Sequence, residues 1–65
     1  MNITKKIKKL LQEAELYHAQ GLLNEAMEKY NSATKLIRNN EQLKGEQNLI
    51  KGISKKILAL KNDIL

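Results

Sequence analysis

Cysteine and proline are both absent from this chain of 65 residues, and so are tryptophan and phenylalanine. Without cysteine the fold has no disulfide and no thiolate metal ligand, and a reducing compartment is the default. Without proline nothing interrupts a helix, and the many Leu, Ile, Lys, Glu and Ala residues favour helices. The sequence therefore predicts an all-α protein located in the cytoplasm.

Long hydrophobic runs are also missing. Residues 1–9 are too charged for the apolar core of a secretory signal, and no apolar run approaches the length of a membrane span. We therefore expect a soluble chain that forms one helical domain over residues 1–65. A chain of this size buries only about 60% of its unfolded surface. Its core then supplies a net stability on the order of 3–5 kcal/mol.

The sequence lacks any constellation that would carry catalysis. His18 is the only histidine, and no Gly-rich phosphate loop occurs. Glu15 and Glu25 would be the acid–base partners of His18, yet a bundle this small has no room for a pocket that excludes water. We therefore predict that the protein is not an enzyme, that it has no metal site and no cofactor, and that His18 lies at the surface.

Apolar residues recur at steps of three and four in three segments, which places them on one face of each of three amphipathic helices. We predict helix one at about residues 3–20, helix two at about 24–38 and helix three at about 43–64. Short connections make neighbouring helices antiparallel, so the predicted fold is an up-down-up three-helix bundle. The three stripes are Ile3, Ile7, Leu10, Ala14 and Tyr17; Leu23, Ala26, Tyr30, Ala33 and Ile37; and Leu43, Ile50, Ile53, Ile57, Leu60 and Ile64.

Four residues outside the stripes bear on the helix ends and on the surface. Gly21 is expected to end helix one, because glycine adopts the left-handed conformation cheaply, and Asn24 is expected to cap helix two. Gly45 either weakens helix three or marks its true start, with residues 41–45 as the connection. Gly52 is either a tolerated surface glycine or a place where a partner approaches the backbone.

The charges agree with this layout, in which helices one and three run parallel. Each end of the bundle then pairs an acidic segment with a basic one, which disfavours the reversed packing. At one end the lysines of helix one lie near Glu41 and Glu46. At the other end the predicted neighbours are Glu13, Glu15, Glu25 and Glu28 on one side, and Lys55, Lys56 and Lys61 on the other.

Small residues, a glycine and two tyrosines follow a pattern typical of a helical hairpin. A small residue precedes Tyr17 by three places and another precedes Tyr30 by four, with a glycine between the two helices. The matching residues are Ala14, Tyr17, Gly21, Ala26, Tyr30 and Ala33. Over residues 7–40 the chain resembles a tetratricopeptide repeat. That resemblance implies closely packed helices that hold other proteins, with helix three as the cap of a lone repeat.

The same hairpin followed by an apolar third helix also resembles the microtubule-interacting-and-transport domain. The residues that carry this resemblance are again Ala14, Tyr17, Gly21, Ala26 and Tyr30, together with the apolar end of helix three. The resemblance implies a three-helix bundle that docks short helical or extended peptides in grooves between its helices.

We therefore predict a non-catalytic adaptor that binds a helical or extended peptide, with some acidic character, between helices one and three. The residues expected at this site are Lys8, Leu11, Glu15, His18, Leu49, Ile53 and Lys56. An equally weighted interpretation is that Leu11 and Leu49 only widen the core of a small bundle.

Two further hypotheses concern other surfaces. Leu16 points away from the core stripe of helix one, and Met27 and Leu36 are expected to join it if the chain self-associates weakly as a homodimer. The net charge of +5 and the pI near 9.6 suggest the alternative function, a basic module that binds nucleic acid or an anionic surface. Its residues would be Lys5, Lys6, Lys8, Lys9, Lys51 and Lys55.

Overall fold

The structure, a computed structural model, describes residues 3–43 and 45–64, and side chains for all of these except Gln42 and Ile64. It consists of α1 (Ile3–Ala19), α2 (Leu23–Asn39) and α3 (Gln47–Ile64), with a 3-10 helix at Glu41–Leu43. The predicted all-α three-helix bundle is confirmed. Over the described ranges, no helix combines the length and the apolar character needed to cross a membrane.

The turn between α1 and α2 depends on Gly21, which has a φ of 79°. The N–H of Leu22 donates to the carbonyl of Tyr17 at 2.9 Å, and that of Gly21 donates to the carbonyl of His18 at 3.1 Å. These two bonds form a Schellman motif, in which a left-handed residue satisfies the last carbonyls of a helix. The predicted role of Gly21 as the end of helix one is confirmed.

The predicted capping of α2 by Asn24 is wrong. The helix begins at Leu23, and Leu22 occupies the capping position without any side-chain hydrogen bond. The carbonyl of Leu22 accepts the N–H of Ala26 at 3.0 Å. The turn at Gly21 already orients the next peptide groups along α2, so the helix starts before a polar capping side chain is reached.

The third helix begins later than the apolar pattern suggested, at Gln47 rather than near residue 43. Leu43 belongs to the 3-10 helix, and the carbonyl of Glu46 accepts the N–H of Ile50 at 3.2 Å. Gly45 therefore lies outside the helix, in the connection, as one of the two expectations for it had stated. A glycine inside a helix costs about 1 kcal/mol relative to alanine, which favours this later start.

The core is centred on α2, which packs against both other helices, whereas the backbones of α1 and α3 stay farther apart. At the α1–α2 interface, Ala14, Ala26 and Ala33 have no exposed surface. Alanines at these positions let the two backbones approach closely, and the buried ring of Tyr30 fills the wider space beside them. The buried residues are Ile7, Ala14, Ala26, Tyr30, Ala33, Ile37, Ile53 and Leu60.

The third helix closes the bundle with fewer buried side chains. Ile53 and Leu60 are its fully buried residues within the described part of the chain, and Leu49, Ile50 and Ile57 are partly buried around them. The molecule measures 34 × 21 × 14 Å. Because α3 lies on α2 rather than squarely on α1, a groove remains between α1 and α3.

Candidate functional site

Side-chain pairs join α1 to α3. The Lys56 ammonium donates a hydrogen bond to the Glu15 carboxylate, and His18 Nε2 lies 2.9 Å from Asp63 Oδ2. Because the pairs follow the same order along both helices, α1 and α3 run parallel, as the up-down-up layout requires. Glu15 was expected near Lys56, whereas the approach of Asp63 to His18 had no signal in the sequence.

A shallow apolar groove of about 140 Å³ lies between these helices, beside the Lys56–Glu15 pair. Ile53 is buried at its base, and Leu11 and Leu49 are half-buried along its walls. The lining residues are Leu11, Asn48, Leu49, Gly52, Ile53 and Lys56. Leu11, Leu49, Ile53 and Lys56 belong to the site expected from sequence, so the structure brings these four together.

Gly52 belongs to the lining of this groove. It is exposed, and a Cβ atom built on its backbone would meet nothing within 4 Å. Asn48, which precedes Gly52 by one helical turn, adds an exposed amide to the same wall. Both expectations for this glycine, a tolerated surface residue or a place where a partner approaches the backbone, fit its exposed position.

The volume of the groove limits what it can hold. An apolar cavity of about 150 Å³ accommodates one benzene molecule, so the 140 Å³ here matches one large apolar side chain. Pockets for cofactors and drug-sized ligands are larger, roughly 300–1,000 Å³. The groove therefore has room for about one large apolar side chain.

The ion pair at the end of the groove affects two pKa values. The hydrogen bond that Lys56 donates to the Glu15 carboxylate raises the pKa of Lys56, so the ammonium stays charged. Burial raises the pKa of Tyr30, while the Lys56 charge lowers it and the Glu15 charge raises it. The ring of Tyr30 on α2 therefore lies within the electrostatic reach of the pair, and its hydroxyl stays protonated at neutral pH.

The other predicted site residues lie outside the groove lining. Glu15 and His18 belong to the two pairs that join α1 to α3. Lys8 is exposed and lines a wide hollow of about 840 Å³. The described residues of that hollow all come from α1. They are Lys5, Lys6, Lys8, Lys9, Leu10, Gln12 and Glu13.

The three residues proposed for self-association differ in exposure. Leu16 is 56% exposed, as its position opposite the core stripe predicted. Met27 and Leu36 are only partly exposed, because they pack against the core. Leu22 and Leu58 are also exposed, and both had escaped the sequence pattern.

The charged side chains beside the groove, those of Lys56 and Glu15, are exposed. No acidic or basic side chain is buried in residues 3–43 and 45–63. Within the described part of the chain, no group of three or more His, Asp or Glu residues is arranged to hold a metal ion. The groove therefore offers apolar contact on its floor, an amide at Asn48 and an ammonium at Lys56.

The chain was compared with protein-family models, with curated proteins and with solved structures. No protein-family model, curated protein or solved structure that was compared with the chain matches it.

Proposed function

We propose that the protein is a non-catalytic interaction module of the cytoplasm, an adaptor that binds a helical or extended peptide between α1 and α3. The observation that carries this proposal is the apolar groove itself, which unites Leu11 of α1 with Leu49 and Ile53 of α3. A monomer of this size gains nothing from an open groove of that shape, since filling it would bury more apolar surface.

Binding would follow the general manner in which an amphipathic segment places its apolar side chains into a hydrophobic groove. One large apolar side chain of the partner fills the space above Leu11, Leu49 and Ile53. Gly52 lets the backbone of the partner approach α3, and Asn48 offers a hydrogen bond to it. Lys56 provides a charge at the edge of the contact.

A closer likeness to tetratricopeptide and microtubule-interacting-and-transport domains is part of the same proposal. It is supported by the unexposed Ala14, Ala26 and Ala33, by the buried Tyr30 and by the left-handed Gly21. These are the residues on which the sequence resemblance depends. In this interpretation α3 takes the place of the neighbouring helix that a lone repeat lacks.

The proposal is tested by selecting peptides from a displayed random library against the purified protein and measuring their affinity by calorimetry. The decisive variant is Gly52→Leu, which adds a large apolar side chain to the lining of the groove at a position where a Cβ meets nothing within 4 Å. Its matched control is Ser54→Leu, which adds the same side chain at another exposed position of α3. Circular dichroism of both variants establishes that the helices are retained.

We expect Gly52→Leu to weaken the selected peptides about 10- to 100-fold, and Ser54→Leu to leave them unchanged. The magnitude follows from the roughly 1.5–3 kcal/mol gained when one large apolar side chain is buried. Equal binding by both variants, or a library from which no peptide is selected, would contradict the proposal.

A second candidate function has its own supporting observation, the exposure of many lysines. The lysines concerned are Lys5, Lys6, Lys8, Lys9, Lys51 and Lys55, all of them exposed. None of these six forms an ion pair with another described residue, and a set of exposed cations suits a nucleic acid or another anionic surface. Titration with duplex and single-stranded DNA at two salt concentrations decides the matter. Micromolar affinity with a steep salt dependence supports this function, and undetectable binding at low salt rejects it.

A further inference from the structure

We infer that in the free protein Glu15 occupies the place of a partner carboxylate beside Lys56, and that a bound peptide displaces Glu15 from Lys56. The inference rests on the proposed function and specifies its ligand. The partner would be an acidic segment of another protein that carries one large apolar side chain, with an Asp or Glu close to that anchor. Glu15 would then act as a weak internal competitor of the partner.

The position of Lys56 is the first reason for this inference. Its side chain lines the groove, and its ammonium is bonded to Glu15 of the opposite helix. Glu15 itself is absent from the lining of the groove. The Lys56 ammonium thus borders the space for the apolar anchor, and it is bonded to the Glu15 carboxylate, which lies outside that space.

The exposure of the pair is the second reason. The side chains of Lys56 and Glu15 are 46% and 56% exposed, so water and salt screen their attraction. Exposed ion pairs contribute little to stability, and a carboxylate of the partner can therefore replace Glu15 at small cost. A buried pair would instead resist exchange, because an uncompensated charge would remain behind.

Charge complementarity is the third reason. The chain carries a net charge of +5, and Lys8, which precedes Leu11 by about one turn of α1, is exposed. Asp63, the other acidic residue that bridges α1 and α3, is paired with His18. An acidic partner therefore meets the Lys56 ammonium on a chain of net positive charge, and the Asp63 carboxylate beside α1 is already paired with His18.

The position of Lys56 also limits the spacing within the partner. Lys56 follows Gly52 by four residues, which is about one helical turn of α3. The acidic side chain of the partner should therefore lie close in space to its apolar anchor, within about one or two helical turns. Peptides in which the two groups are far apart in space would gain nothing from Lys56.

The experiment uses the peptides selected from the displayed library and compares three single variants of the full chain. Glu15→Gln removes the internal competitor. Glu28→Gln, at an exposed position of α2, changes the net charge by the same amount and serves as the matched control. Lys56→Gln removes the shared ammonium, and the double variant of Glu15 and Lys56 isolates their coupling.

We expect Glu15→Gln to bind the selected acidic peptides about two- to five-fold more tightly, and Glu28→Gln to bind them like the wild type. This range follows from the strength of exposed ion pairs and the relation between free energy and affinity. Lys56→Gln should weaken binding and remove the gain from Glu15→Gln. Replacing the acidic residue of the peptide by glutamine should remove that gain as well.

The outcomes separate this inference from the proposed function. If binding is lost in Gly52→Leu but Glu15→Gln and Glu28→Gln behave alike, the groove binds peptides and the role given to Glu15 is wrong. Selected peptides without acidic residues would overturn the inference in the same way. If no peptide depends on Gly52, both the function and the inference fail.

Discussion

The α1–α2 hairpin and α3 are held in the bundle by different means. In the hairpin, Ala14, Ala26 and Ala33 are completely buried, and the Tyr30 ring fills the space beside them. The third helix contributes larger aliphatic anchors, and its edge towards α1 is joined by two exposed side-chain pairs. Small residues thus allow close approach on one side of α2, while the other side is held by fewer contacts.

This difference explains the location of the groove. Two helices that meet through alanines leave no space between them, because the backbones themselves come into contact range. A helix that rests on isolated anchors such as Ile53 leaves gaps wherever a small residue replaces a large one. Gly52 lies at such a place, next to Leu11 and Leu49 of the groove lining. The looser attachment of α3 therefore creates the surface on which function is proposed.

Tyr30→Ala is expected to have the largest effect, because it removes the ring that fills the α1–α2 interface. Replacing a buried aromatic residue by alanine costs about 3–5 kcal/mol, which equals the whole stability expected for a domain of this size. Circular dichroism should show a largely unfolded chain, whereas Tyr30→Phe, which keeps the ring, should retain the helices. A cooperative urea transition of Tyr30→Ala near that of the wild type would contradict the account.

Leu60→Ala is expected to loosen α3 more than the hairpin. The loss of a buried leucine costs about 2–5 kcal/mol, and native-state hydrogen exchange reports which amides open first. We expect the amides of α3 to lose protection before those of α2. Leu58→Ala, at a position that is 61% exposed, serves as the control with little change. Equal loss of protection in all three helices would show that α3 is no weaker than the hairpin.

Gly52→Ala is expected to stabilise the protein by about 1 kcal/mol, because alanine is the better residue inside a helix. The added Cβ meets nothing within 4 Å, so no strain offsets this gain. Gly45→Ala, outside α3, should stabilise less. Urea denaturation measures both variants. If Gly52→Ala unfolds at the same urea concentration as the wild type or at a lower one, Gly52 does not lie in a regular helix with free space around its Cβ.

Alkaline pH is expected to produce a smaller effect through Tyr30 and Lys56. Both pKa values are raised above their ordinary values of 10.0 and 10.5, so the folded state binds these protons more tightly than the unfolded chain. The associated stability is complete below those values and is lost as the pH rises through the raised pKa values.

Urea denaturation at neutral pH and at a pH above 10.5 measures this loss. Tyr30→Phe and Lys56→Gln should each show a smaller loss than the wild type, since each lacks one of the two protons. An increase in stability with pH over this range would mean that the sign assigned to the two groups is wrong.

Much of the fold was predictable from local pattern. The stripes of Ala14, Ala26 and Ala33 follow helical periodicity, and Gly21 has the conformational freedom that a left-handed turn needs. The position of Lys56 opposite Glu15 followed from the parallel direction of α1 and α3. In each case the signal resides in residue type and spacing, which a single sequence contains.

The remaining features depend on tertiary geometry that no local signal encodes. The beginning of α2 was set by the Gly21 turn rather than by the capping preference of Asn24. The approach of His18 to Asp63 joins residues that are 45 positions apart in the sequence, and no periodicity connects them. The exact depth of the groove depends on how far α3 stands from α1, and only the packing of both helices on α2 determines that distance.

Methyl NMR of the protein with a selected peptide tests the central claim most directly, because it locates the ligand on the bundle. Nuclear Overhauser effects should connect the apolar anchor of the peptide with the methyl groups of Leu11, Leu49 and Ile53, and should be lost in Gly52→Leu. Contacts confined to Leu16 or to the exposed lysines of α1, with the groove methyls unaffected, would contradict the account.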